Sequence, residues 1–181
     1  MSILTETLFR SIVGCRRLEV YMADRTQRPV SRFRAEVDAA IADFGSEVRE
    51  KLSDPDAEKE EQLRSPLEAL LRRAGRALRL HVVPHGEVRL RRLQARPDFS
   101  VDIAGMRVGY VELKAPNKGV PLTSSWHPTP RDNKQWEKLK ALPNLIYGDG
   151  TNWAWYKYGQ IQSYTALQGD IFRAGRKPGR F

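Results

Sequence analysis

Cysteine is nearly absent: Cys15 is the only one in 181 residues. A lone thiol excludes an internal disulfide and any zinc site built from paired cysteines. Histidine is scarce too, and His81, His85 and His127 have no convincing metal-ligand set around them. No window is apolar enough to cross a bilayer. The start, "MSILTETLFRSIVG", interrupts its apolar run with Glu6 and Arg10 and does not read as a secretory leader. A cytoplasmic protein with no membrane contact is the expectation. The GxxxxGK(S/T) phosphate loop is missing, as is a methyltransferase glycine motif. The chain therefore shows neither a nucleotide-hydrolysing motor nor methyl transfer of its own.

Charge of one sign predominates. Lys and Arg number 31 against 22 Asp and Glu, a net +9. Such a balance favours polyanionic partners, with a merely solvated basic surface as the alternative. The length suits one domain with a real core. Residues 1–34 read as an N-terminal extension, with a short helix over "SILTETLFRSIV" and a linker over "MADRTQRPVS". Residues 35–165 read as the folded domain and 166–181 as a basic, glycine-rich, flexible tail. "AEVDAAIADFGSEVREKL" places Val37, Ile41, Phe44, Val48 and Leu52 at helical spacing. "KEEQLRSPLEALLRRAGRAL" continues as a second helix with a kink or fresh start at Pro66. Next come "LHVV" and "EVRLRRL" as a hairpin, "PDFSVDI" and "RVGYVELK" as strands, and a loop from Ala115 to Asp132 with four prolines. A short helix, "NKQWEKLKAL", and the strands "NLIYGDG" and "NWAWYKYG" complete the domain. The order predicts an α/β fold, a mixed central sheet flanked by helices (α-β-β-β-α-β-β).

The chemistry concentrates in "RPDFSVDIAGMRVGYVELKAP", residues 96–116. Side chains alternate along a strand, so Val108, Tyr110, Glu112 and Lys114 share one face while Val111 and Leu113 share the other. Whether Asp98 reaches Glu112 depends on register. A three-residue loop over Ala104-Gly105-Met106, or a bulge, puts the two carboxylates opposite each other, about 4.5–5.5 Å apart at Cβ. A two-residue loop without a bulge sends them to opposite faces. Carboxylates that close repel, so one is protonated or a cation sits between them. A hard divalent cation such as Mg²⁺ suits the pair. Lys114 beside it would orient or deprotonate a water, or stabilise developing phosphorane charge. The alternative is a strand-capping Asp98 and a surface ion pair between Glu112 and Lys114.

"RPDFSV", "GYVELKAPNKG" and "NKQWEKLKALPNLIYGDGTNWAWYK" together resemble the PD-(D/E)XK nuclease superfamily. Over residues 66–158 the chain is similar to the N-terminal nuclease domain of fused restriction–methyltransferase and phage-defence proteins. The resemblance implies a restriction-endonuclease-like core and Mg²⁺-dependent cleavage of DNA phosphodiesters, with Mn²⁺ able to substitute. The products would carry 5′-phosphate and 3′-hydroxyl ends. It implies Asp98, Glu112 and the Leu113 backbone carbonyl as metal ligands and Lys114 as the catalytic lysine, with a supporting Gln135 on the following helix. It also implies fused or associated methyltransferase or recognition domains, and a homodimer for double-strand cutting. RecB-like relatives carry a tyrosine four residues after that glutamine; Leu139 stands there instead, a departure from that subgroup. Glu68 matches the glutamate that the superfamily often places on its first core helix. Equally, Ser65-Pro66-Leu67-Glu68 has the pattern of a capping box. Glu87 is a third acidic candidate, read as a surface residue. The other open functional reading is a nuclease-like module that binds DNA or a partner without cutting.

Arg96, Lys118, Arg131 and Lys134 are the candidates for DNA phosphate contact. For Arg72, Arg73, Arg76, Arg79, Arg89, Arg91 and Arg92 a solvated face is the preferred reading. Trp126, Trp153 and Trp155 are read as packing residues rather than base-stacking platforms.

Overall fold

Residues 30–167 are described in the structure, a computed structural model of the chain. The expected N-terminal helix and the basic tail lie outside the described residues. Helix α1 spans Val30–Lys51. Its apolar residues recur every three or four positions, and Val37, Ile41, Phe44 and Val48 are all buried. Arg49 and Lys51 in the last turn suit the negative end of the helix dipole. After a connection over residues 52–60, a 3₁₀ turn, Glu61–Leu63, runs directly into α2, Arg64–Ala77. The helix thus starts earlier than the capping-box reading required. Leu63 occupies the N-cap without a side-chain hydrogen bond, so the capping box at Ser65 does not form. Pro66 falls in the first turn, where its missing N–H breaks no helical hydrogen bond.

Six strands form one sheet in the order β1-β2-β3-β4-β5-β6. They are β1 Val82–Gly86, β2 Phe99–Ile103, β3 Met106–Leu113, β4 Leu145–Gly148, β5 Asn152–Lys157 and β6 Gln160–Ala166. All neighbours pair antiparallel except β3 and β4, which are parallel and joined by a crossover through α3, Pro130–Leu139. The expected mixed α/β sheet flanked by helices is the fold observed. Two expectations about strands need correction. "EVRLRRL" is no strand: β1 spends its pairing edge on β2, and residues 87–97 form a loop held by a single bridge, Leu90 to Ala95. The sheet also has a sixth strand, β6. Its polar, mostly exposed sequence gives it no apolar alternation to read, as befits an edge strand.

The two faces of the sheet bury different sets of side chains. Phe99, Val101, Ile103, Val111, Leu113 and Ile146 pack under α1 and α2. Leu145, Tyr147, Ala154 and Tyr156 pack with Trp136 and Leu139 of α3 on the other face. The parity of β2 and β3 decides which residues join which set. Their turn has two residues, Ala104 and Gly105, with Ile103 opposite Met106 and Asp102 opposite Arg107. Both turn residues have positive φ, +50° and +77°, as a tight hairpin requires. That turn alone would misalign Asp98 and Glu112. A bulge follows, however: Val101 pairs with Gly109, leaving Val108 as the extra residue. Beyond it Phe99 faces Val111, and one step further Asp98 comes opposite Glu112. The bulge alternative, and not the three-residue loop, is what the chain uses.

Ala104 is an L-residue held in the left-handed region at the first turn position, where asparagine is better tolerated. Ala104→Asn is expected to stabilise the protein by part of the roughly 1–2 kcal/mol that a left-handed L-residue costs. A thermal or urea melt that moves in the opposite direction would contradict the turn described.

Candidate active site

Asp98 and Ser100 sit on the face of β2 opposite Phe99 and Val101, and both are buried. The Asp98 carboxylate is held at both ends. Oδ2 accepts the Leu113 backbone N–H at 2.7 Å, and Oδ1 accepts from Arg64 at 2.6 Å. Glu112, on β3 beside Tyr147 of β4, is only 1% exposed. Its Oε1 accepts from the Lys114 ammonium at 2.5 Å, while Oε2 is buried without a hydrogen-bond partner. Lys114 is buried as well, 3.8 Å from Glu60 Oε1 and 5.9 Å from the centre of the Tyr147 ring. Glu60 Oε2 accepts the Ala115 N–H at 3.2 Å. Face parity therefore brings Asp98, Glu112 and Lys114 into one cluster.

The cluster opens into a cleft of about 1180 Å³. All four cationic candidates, Arg96, Lys118, Arg131 and Lys134, line it, and so does half-buried Gln135. Glu68 does not: it is half-exposed one turn below Arg72 and accepts a hydrogen bond from that guanidinium at 2.8 Å. It is neither helix cap nor neighbour of the cluster. Glu60, eight residues earlier, occupies the place next to Lys114 instead. Leu139 faces the second core with no exposure. Glu87 is an exposed cleft-lining residue that pairs with Arg64 and Arg96. Glu60 and Arg64 were not anticipated. Their signal was available: four residues apart around a helix start, with Leu63 and Leu67 facing the core, they share one outward face.

Behind the lysine the chain is pinned at several points. Gly119 N–H donates to buried Asp149 Oδ2 at 2.7 Å, and the other Asp149 oxygen accepts from Thr151 and Asn152. Gly119 has φ +69°, and a Cβ there would lie 1.8 Å from the Ser125 carbonyl oxygen, so only glycine fits. Trp126 packs edge-on against Tyr147, holding the loop down as a packing residue. Thr129 and Asp132 form a reciprocal capping box that starts α3 against the cleft.

Burial dominates the electrostatics. It pushes the Glu112 carboxyl up to about 8, with the Asp98 charge adding to the shift and Lys114 opposing it. Burial also raises Asp98, against the Leu113 N–H and Arg64, and raises Glu60 against Lys114. Burial alone would lower Lys114, but Glu112, Glu60 and Asp98 together hold it above its ordinary value. The lysine is thus an ammonium at neutral pH. Among the described residues no group of three or more His, Cys, Asp or Glu side chains is arranged to hold a metal ion. The donor set is two carboxylates, one with an unpartnered buried oxygen. That set fits a hard divalent cation that keeps much of its water shell.

No family model matches this chain, and no curated protein matches it. A solved structure described as the cryoEM structure of a DrdV-DNA complex is similar in fold, with a TM-score of 0.53 at 16% identity. The match covers 71% of this chain and 12% of that one, so this chain spans a small part of that protein's length. Among the described residues no helix is long and apolar enough to cross a membrane.

A raised carboxyl means that the folded chain keeps a proton which the unfolded chain releases. Between the ordinary glutamate value of 4.5 and about 8, Glu112 therefore lowers stability as pH rises. In chelator, the melting midpoint is expected to fall across that window, and Glu112→Gln to flatten the fall. If the site takes a divalent ion, Mn²⁺ would bind its deprotonated form and should raise the midpoint more at the alkaline end of the window than at the acid end. A Mn²⁺ shift that survives in Glu112→Gln, or that is larger at low pH, would count against Glu112 as a ligand.

Proposed function

We propose that the chain is a metal-dependent DNA endonuclease domain that hydrolyses phosphodiester bonds. The observation that carries this reading is the cluster itself: Asp98, Glu112 and Lys114 brought together at a cleft, with one glutamate oxygen buried and unpartnered. A costly arrangement of buried charges in a concave site is a mark of chemistry rather than of packing. The fold likeness to a protein solved with DNA, and the cations lining the cleft, favour nucleic acid as the polyanion. Restriction or anti-phage defence is the biological setting we infer, with this domain acting alongside methyltransferase or recognition domains and as a homodimer for double-strand cutting.

Asp98, Glu112 and the Leu113 carbonyl are the residues that would hold Mg²⁺, or Mn²⁺ in its place. When bound, the ion would neutralise phosphate charge and lower the pKa of water. Arg64 and the Leu113 N–H orient Asp98, so its carboxylate is fixed before substrate arrives. Lys114 is an ammonium held against Glu112 and Glu60, and its role is to orient the attacking water and stabilise charge on the phosphoryl oxygens. Hydrolysis adds hydroxyl to phosphorus and a proton to the departing 3′-oxygen, leaving 5′-phosphate and 3′-hydroxyl ends. Gln135 lies on the wall of the same cleft, where it would support the bound phosphate or water. Arg96, Lys118, Arg131 and Lys134 hold the backbone around the scissile phosphate.

One observation favours the second reading, a module that binds DNA without cutting: both Asp98 oxygens are already engaged, by Arg64 and by the Leu113 N–H. Plasmid cleavage with Mg²⁺ or Mn²⁺ separates the two. Lys114→Ala is expected to slow cutting by about 100–1,000-fold, and Asp98→Ala to abolish it. Cleavage that survives Lys114→Ala sinks the mechanism. DNA binding without cleavage under either metal favours the binding module.

A further inference from the structure

Arg91 and Arg92 are exposed, lie outside the cleft, and form no ion pair among the described residues. Their position is fixed all the same. They begin the four-residue turn 91–94, closed by Leu90 N–H to Ala95 O at 2.9 Å and Ala95 N–H to Leu90 O at 3.3 Å. Leu90 and Leu93 pack against the second core cluster, and Lys138 Nζ donates to the Gln94 carbonyl at 3.1 Å. The turn is therefore stitched to the C-terminal part of α3. Along that helix Arg131, Lys134 and Lys138 follow one another at three and four residues, all exposed and all lining the cleft. Seven residues of helix carry this row about 10 Å from the cleft to the turn. The α1–α2 connection and the first residue of the 3₁₀ turn contribute lining of opposite character: Asp56, Glu58, Glu60 and Glu61 against Lys59. A phosphate backbone is repelled from that segment and drawn to α3. The neighbouring Arg96, by contrast, lines the cleft itself beside its ion-pair partner Glu87.

We propose that Arg91 and Arg92 extend the row Arg131–Lys134–Lys138 into a track that carries duplex DNA flanking the scissile phosphate out of the cleft. The proposal rests on the nuclease reading for its substrate, but not for its test. Backbone contacts of this kind release counterions, so they are counted by the salt dependence of binding.

Anisotropy of a labelled duplex of about 30 base pairs, titrated in chelator between roughly 50 and 200 mM salt, reads binding without cleavage. The double variant Arg91→Ala/Arg92→Ala should flatten the slope of log affinity against log salt by about 1.8, near 0.9 for each lost contact. Arg76→Ala/Arg79→Ala removes the same charge from residues that do not line the cleft and should leave the slope unchanged. An unaltered slope in the first variant, or an equal change in both, overturns the track. So does a wild-type chain that fails to bind duplex, or one whose slope on a single strand of equal length responds as strongly as on duplex. A chain that binds with the expected slopes yet never cuts keeps the track and overturns the nuclease reading. One that cuts with unaltered slopes does the reverse.

Discussion

Asp98 and Glu112 share a face because β3 has one residue more than β2 between the hairpin turn and the site. The bulge at Val108 shifts every later pair by one position. Without it, the two-residue turn would leave Asp98 opposite Val111 and set the carboxylates on different sides of the sheet. The core depends on the same shift, since Phe99 meets Val111 on the face that packs under α1 and α2. Chemistry and packing are thus fixed by one irregularity in one ladder. This explains how a bulge, which sacrifices regular pairing, is compatible with a stable sheet.

The cluster is assembled against its own electrostatics. Three acidic groups, Glu60, Asp98 and Glu112, are raised by burial, and one ammonium is asked to answer them. Arg64 pairs directly with Asp98 and also eases Glu60, but not Glu112. The imbalance leaves Glu112 with an unpartnered oxygen and a pKa close to the physiological range. Such a site favours whatever positive charge can enter it. The surrounding construction keeps it from relaxing: Tyr147 lies under the lysine, Trp126 and Trp136 flank Tyr147, and Asp132 caps α3 at the cleft wall.

Much of this was legible in the chain. The apolar spacing of α1 and the alternation of Val111 and Leu113 are local signals, and each led to the element observed; Gly105 marked the hairpin turn, but Met106 belongs to β3, so the loop was read one residue too long. Face parity reduced the site to a question about register, though the bulge itself could not be read, because Val108 and Gly109 carry no mark of being unpaired. The first core helix was less transparent. Ser65-Pro66 looks like a start, but a buried Leu63 and the preceding 3₁₀ turn pull the helix back, so Glu60 and not Glu68 reaches the lysine. "EVRLRRL" alternates like a strand, yet β1 had a better partner in β2. β6 is nearly silent in sequence, because an exposed edge strand needs no apolar face.

The clasp between Gly119 and Asp149 joins points thirty residues apart. It ties the loop behind Lys114 to the turn between β4 and β5, across the single parallel crossover of the sheet. Seen as an order of assembly, this contact is non-local and late, since the crossover and the β4–β5 hairpin must both form before Asp149 is in place. Partly folded forms that have only the β1–β3 meander would hold the three charged residues but lack the rear of their cleft. The crossover that makes β4 a neighbour of β3 is also the segment that supplies Lys118, Arg131, Lys134 and Gln135 to the cleft wall, so the same stretch of chain extends the sheet and encloses the site.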